Sequence, residues 1–379
     1  MSSPCKLPGV VNRRPLGEIA NLFRRINFGS ANNQGGIYLY TFINTERNNE
    51  KASDYETKSL LYLLCMRKDS KDINLLIIDC FNDITGGNND ELNKLWDVQS
   101  KGVKDLRPRT IGEALVTLYK NYLSKISFEH YVLLMPKLTE RWLVKEDLQT
   151  FNIQNMKHKY ITKVKEGLCE EHLRRTSDKT INFVKLNAFL SEVVFVIALE
   201  NKEDYTKNIV EFKDKDIKSK KFYVELFDEI RGRQSTLKNN CIEGIEIKSV
   251  EEVLELKRTI KREELEILTI NRLVGVDVFN KRSIPIEFSD ELEGLDKEDK
   301  KDIIQQCNED LSLTLFNKNS KMQFWRLMEC IVELVKENTK LSSRNIYDII
   351  PPSIKRGVST LDEISCIYFI SVIQEGLLW

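Results

Sequence analysis

Two apolar runs separated by a dense turn constrain this chain more than any other feature. Leu75-Leu-Ile-Ile-Asp-Cys-Phe-Asn-Asp-Ile-Thr85 and Leu95-Trp-Asp-Val-Gln-Ser-Lys101 flank Gly86-Gly-Asn-Asn-Asp90. Apolar and β-branched residues on either side of a Gly/Asn/Asp cluster predict a β-hairpin over about 74–101. Side chains alternate along a strand, so Asp97, Gln99 and Lys101 take one face and Trp96, Val98 and Ser100 the other. Asp83 stands near the end of the first arm, where it can sit across from Gln99. Asp79, the rival acid, would pair further out. A carboxylate, an amide and a lysine then meet on one face of a short sheet. The plain alternative is a surface hairpin that shows the same residues to solvent.

The flanks add context. Ile37 to Ile43 alternates like a strand. A helix is predicted from about Ser53 to Arg67, with Leu60, Leu61, Leu63 and Leu64 as its apolar stripe. Glu56 falls in its first turn, where Ser53-Asp-Tyr-Glu56 also matches a capping box, so that carboxylate is either a ligand or a partner for a free backbone N–H. Beyond the hairpin, Lys104, Arg107 and Arg109 lead into a helix over about 110–126. The fully apolar His130 to Met135 then reads as a buried strand ended by Pro136. The three basic residues suit phosphate contacts or a solvated loop. Residues 1–36 carry Lys6, Arg13, Arg14, Arg24 and Arg25 against the single acid Glu18, which suits a flexible terminus with solvated charges or a basic arm along a phosphate backbone, with a short helix over 16–26.

Composition sets the outer bounds. At 379 residues the chain suggests about two or three domains. Lys plus Arg and Asp plus Glu are equal at 58 each, so any nucleic-acid or membrane surface must be local rather than global. The eight cysteines form no C-x-x-C pair and the three histidines no zinc spacing, which points to a reducing compartment and away from zinc. The longest apolar run, Val193 to Leu199, is too short to span a bilayer, and no signal-peptide core is visible. A cytoplasmic protein with no membrane partner is expected.

After residue 155 the pattern turns mainly helical. Segments over 156–175, 181–199, 222–230, 251–272, 302–337 and 341–350 read as helices, and 291–301 as a charged linker. Ile364 to Ile373 suits a strand or a buried helix equally. Arg231-Gly-Arg-Gln-Ser-Thr-Leu-Lys238 is a second basic stretch, a helix end or a partner contact. No catalytic signature is visible in this part.

Asp83 on one arm with Gln99-Ser-Lys101 on the other resembles the PD-(D/E)xK nuclease superfamily in its Q-x-K form, and within it the double-stranded DNA endonuclease domains of bacterial anti-phage effectors. The resemblance covers about 37–155. It implies an α/β restriction-endonuclease-like N-terminal domain, a mixed sheet flanked by helices, followed by a mainly α-helical C-terminal region over 156–379. That region would sense, oligomerise or bind a partner, with a split near 290–300. It further implies a metal-dependent endonuclease acting on double-stranded DNA in anti-phage defence. Mg²⁺, or Mn²⁺ in its place, would be held by Asp83, Gln99, Glu56 and the backbone carbonyl of Ser100, with Lys101 as catalytic lysine. Two departures stand out: Asn82 rather than proline precedes Asp83, and Gln99 replaces a carboxylate, for which Asp97 could compensate. The alternative is a catalytically silent nuclease-like scaffold or DNA-binding subunit whose ATPase or helicase partner does the work.

Overall fold

The computed structural model describes residues 40–42, 50–103, 106–177 and 180–378. The basic arm over 1–36, most of the expected 37–43 strand, and Lys104 lie outside them. Within the described chain, β1 (Tyr40–Thr41) precedes α1 (Glu50–Cys65), and then β2 (Leu75–Ile78), β3 (Ile84–Gly87) and β4 (Leu95–Ser100) follow in succession. The expected single hairpin is therefore a three-stranded meander. Its first arm folds back on itself at Asp79–Asp83, where Asp79 takes a left-handed backbone (φ 51°) and its N–H donates to the Asp83 carbonyl at 3.0 Å. An aspartate tolerates that conformation better than a β-branched residue does.

The order continues with α2 (Pro108–Ala114), α3 (Val116–Leu123), β5 (His130–Met135), β6 (Thr150–Asn152), α4 (His158–Arg175), α5 (Phe183–Glu192) and β7 (Val193–Ile197). The helix expected over 110–126 is thus broken at Leu115. The helix expected over 181–199 gives way at Val193 to a strand, as its run of β-branched residues suits. Next come α6 (Glu203–Thr206), α7 (Lys220–Leu237), β8 (Glu246–Ile247), β9 (Thr259–Lys261) and α8 (Arg262–Val274). The expected 251–272 helix therefore contains an edge strand. The chain ends with α9 (Lys297–Phe316), α10 (Lys321–Glu337), α11 (Ser343–Ile349), α12 (Pro352–Gly357) and α13 (Glu363–Leu378). The expected linker over 291–301 runs into the first turns of α9, whose N-cap Asp296 accepts from the N–H groups of Glu298 and Asp299. Ile364 to Ile373 is a buried helix.

Seven strands make one mixed sheet in the order β6-β7-β5-β4-β3-β2-β9, and β1 pairs separately with β8. β4 is its central strand. It runs parallel to β5 and antiparallel to β3. Alternation along the strands feeds two cores. Leu75, Ile77, Leu95, Leu133 and Phe195 face α2–α5. Leu76, Ile78, Trp96, Val98, Leu134 and Val196 face α1, α6, α7 and α8. A third core, centred on Trp325, Met328 and Tyr368, belongs to the C-terminal helices. Because β7 and β9 complete the sheet, the division expected at residue 155 falls inside it, and Leu39–Trp379 forms one compact unit.

Helices α2 and α4 approach until their backbones touch. A Cβ on Gly112 would stand 2.0 Å from the Val164 carbonyl oxygen, and one on Gly167 would stand 2.0 Å from that of Arg109. Neither neighbour is a side chain that can turn away. Gly167→Ala is expected to lower the unfolding free energy by about 1–3 kcal/mol or more, as overpacking does. A urea midpoint equal to that of the native chain would contradict the contact.

Candidate active site

The β3–β4 register pairs Ile84 with Val98, which sets Asp83 opposite Gln99 one step further on. The carboxylate answers that placement. Asp83 Oδ2 accepts from the Ser100 N–H at 2.7 Å, from Ser100 Oγ at 2.6 Å and from Gln99 Nε2 at 2.8 Å. Gln99 Nε2 also reaches the Ser100 carbonyl at 3.3 Å. Lys101 follows at the end of β4, where its N–H donates to the Leu134 carbonyl at 2.9 Å and extends the ladder to β5. Its side chain is half-buried.

Glu56 arrives from α1. The helix begins at Glu50, ahead of Ser53, so Glu56 sits past its first turn and does not serve the expected capping box. Its carboxylate is buried and takes an ion pair from Lys238 and a hydrogen bond from Gln234 Nε2 at 3.3 Å. Burial and then the charge of Asp83 push the Glu56 carboxyl upward, against the pull of Lys238; Asp79 adds to the push. That mutual repulsion places the two expected carboxylates in one electrostatic neighbourhood. Lys238 responds in kind. Burial alone would lower it, yet Glu56, Asp79 and Asp83 raise it, so it stays charged.

Asp79 is committed elsewhere. The fully buried guanidinium of Arg258 donates to the Asp79 carbonyl at 2.9 Å and to its Oδ2 at 3.1 Å, and also to the Lys238 carbonyl at 3.1 Å. Asp97, the proposed substitute carboxylate, is fully buried two residues along β4. Asn121 Nδ2 donates to its Oδ2 at 2.7 Å and to the Phe81 carbonyl at 3.1 Å, tying the 79–83 turn to β4. Burial raises the Asp97 carboxyl to about 7, opposed by Asn121 and Asn82 and reinforced by Asp83. Asn82 stands near, although its Nδ2 and Asp97 Oδ1 reach no hydrogen bond. Asp97 is therefore a buried structural acid.

The donor set suits a hard cation. Among the described residues no three His, Cys, Asp or Glu side chains gather as a metal site. Mg²⁺, however, is usually held by one or two carboxylates with water and substrate oxygens completing its shell. Here Asp83 and the Ser100 carbonyl converge on one amide nitrogen, Gln99 Nε2. Rotating that amide by half a turn would present its oxygen beside the Asp83 carboxylate and the Ser100 carbonyl, while the Ser100 N–H and hydroxyl stay on Asp83 Oδ2.

Of the basic residues, Arg107 is exposed just before α2. Arg109 pairs with Glu170 and, at 3.8 Å, with Glu113. Exposed pairs of this kind are weak enough to be exchanged for other partners. Sequence reasoning missed Lys238 as a site residue, although it closes the basic stretch begun at Arg231. Arg258 and Gln234 gave no signal at all. Among the described residues no helix is long and apolar enough to cross a membrane. Comparison with family models, curated proteins and solved structures yields no match.

The Asp97 shift has a defined sign. An unfolded aspartate titrates near about 3.9. The folded value is higher, so protonated Asp97 favours the fold below about pH 4, and that contribution is lost as pH rises through about 7. Asp97→Asn keeps an acceptor for Asn121 and removes the buried charge. It is expected to gain on the native chain at about pH 8, by about 1–4 kcal/mol at about 1.4 kcal/mol per pKa unit, and to lose the gain near pH 4. Thermal melts that show no dependence of this difference on pH would contradict the assignment.

Proposed function

We propose that the chain is a metal-dependent endonuclease that hydrolyses double-stranded DNA, serving as the nuclease component of a bacterial anti-phage defence system. The observation that carries this reading is the convergence at the end of β3–β4. Asp83 meets Gln99 and Ser100 across the strands, and Glu56 joins from α1 as a second acid under the influence of Asp83. Further support comes from the element order around it: acid-bearing helix, antiparallel strands, helices and then a buried parallel strand.

Phosphodiester hydrolysis needs a positioned water, neutralisation of charge at phosphorus and help for the leaving oxygen. A divalent cation bound at such a site supplies Lewis acidity and a hydroxide-like water. Asp83, Glu56, the Gln99 amide oxygen and the Ser100 carbonyl would hold it. Lys101 orients the attacking water and stabilises the negative charge that grows on the phosphate. Arg107 supplies an exposed cation for the DNA backbone, and Arg109 a second once it leaves Glu170. Lys104 belongs to the same loop in the sequence. The C-terminal helices carry sensing, oligomerisation or partner binding.

Purified protein incubated with plasmid and Mg²⁺ is expected to cut, and EDTA, Asp83→Ala or Lys101→Ala to reduce cutting by about a hundredfold or more. Cutting that survives Lys101→Ala would overturn the residue assignment. If plasmid stays intact in every condition, including with a cognate partner or signal, the silent-scaffold reading gains.

A further inference from the structure

Lys238 is a site residue whose presence the resemblance does not explain. It sits at the C-cap of α7, and its side chain is 12% exposed against 7% for Glu56, with which it pairs. The two are 182 positions apart in sequence. The lysine is not placed by its own flexible stem alone. Arg258 donates to its carbonyl and to the Asn240 carbonyl just beyond it, and the same guanidinium holds Asp79. Gln234, one turn earlier on α7, fixes the other side, since its Nε2 donates to Glu56 while its Oε1 accepts from Thr57 Oγ1 at 2.8 Å. The C-terminal end of α7 is thus latched to α1 through a buried polar cluster, and an ammonium group is delivered to an acid of the candidate site.

We propose that Lys238 is a tethered counter-cation that occupies Glu56 and must withdraw before a divalent cation can use that carboxylate. The inference rests on the metal-site reading given above and adds a means of restraint to it. Asp83 and Glu56 are buried acids that repel each other, so a site without metal needs a positive charge, and the lysine provides it. A doubly charged ion arriving beside the ammonium meets like-charge repulsion at short range, which is strong where little water intervenes. Lys238 therefore weakens metal binding until it lets go. Its backbone is held through Arg258, next to β9, and Arg262 at the start of α8 adds hydrogen bonds to the Ile73 and Leu64 carbonyls. Movement of α7 or of the β8–β9 segment shifts the lysine directly. This gives the region beyond residue 155 a physical lever on the acids.

The test measures metal affinity in the full chain, independently of DNA cleavage. Isothermal titration of EDTA-stripped protein with Mn²⁺ is expected to give about tenfold or tighter binding for Lys238→Met than for the native chain. Lys238→Arg keeps the charge and is expected to bind as weakly as the native chain. Adding Glu56→Gln to Lys238→Met is expected to remove the gain. Circular dichroism checks that each variant is folded, and Lys238→Arg carries the comparison if the Met variant is not. In that case the counter-cation account requires affinity unchanged by Arg and lowered by Glu56→Gln. Equal Mn²⁺ affinity in the native chain and a folded Lys238→Met would overturn this account while leaving the metal site standing. No Mn²⁺ binding in any variant would instead remove the metal-site reading, and the counter-cation with it.

Discussion

The register between β3 and β4 is the constraint on which the site depends. Side chains alternate with a period of two, so a slip of one residue would turn Asp83 away from Gln99 and drive Trp96 and Val98 out of their core. β3 reads Ile-Thr-Gly-Gly, a sequence that specifies register poorly by side-chain packing alone. Two features compensate. Gly86 lets the strand lie close under Ile73, Leu63 and Trp96, where a Cβ would already be 3.1 Å from the Ile73 methyl. The Asp83 carboxylate then locks the far end through its bonds to Ser100 and Gln99. The groups that fix the register are thus the groups proposed to act.

A buried acid carries a cost unless its hydrogen bonds are met, and a buried pair of acids carries more. The structure meets that cost in three separate ways. Asp83 is met by N–H and O–H donors from β4, Glu56 by Lys238 and Gln234, and Asp79 by Arg258. Asp97 takes a fourth route, with burial pushing it toward the protonated form under Asn121. Four carboxylates within a short stretch of sheet and helix thereby differ in the groups that meet them.

Much of the frame was legible in the sequence because it is local. The apolar runs at β2, β4 and β5 announced buried strands, and the alternation along β4 sorted Trp96 and Val98, which pack in one core, from Asp97, which meets Asn121 on the other side. The 79–83 turn was not legible. It contains no glycine or proline, and Cys80 and Phe81 read as a continuation of the strand. β7 was hidden for a related reason, since it follows α5 with no breaker and its apolar run suits either state. Most opaque of all were Lys238 and Arg258. Their roles depend on chain segments far from β3–β4 folding back onto it, and no periodicity encodes such contacts. Glu56 shows the same limit from the other side, because a capping box with the right letters lay inside a helix that begins earlier.

Crystals of the full chain soaked in Mn²⁺ and measured at the manganese absorption edge give the most direct view of the central claim. The account predicts an anomalous peak bounded by Asp83, the Ser100 carbonyl and the Gln99 side-chain oxygen, with Glu56 turned to it and Lys238 displaced. A peak at some other position, or a Gln99 amide still donating to Asp83 at saturating Mn²⁺, would contradict it.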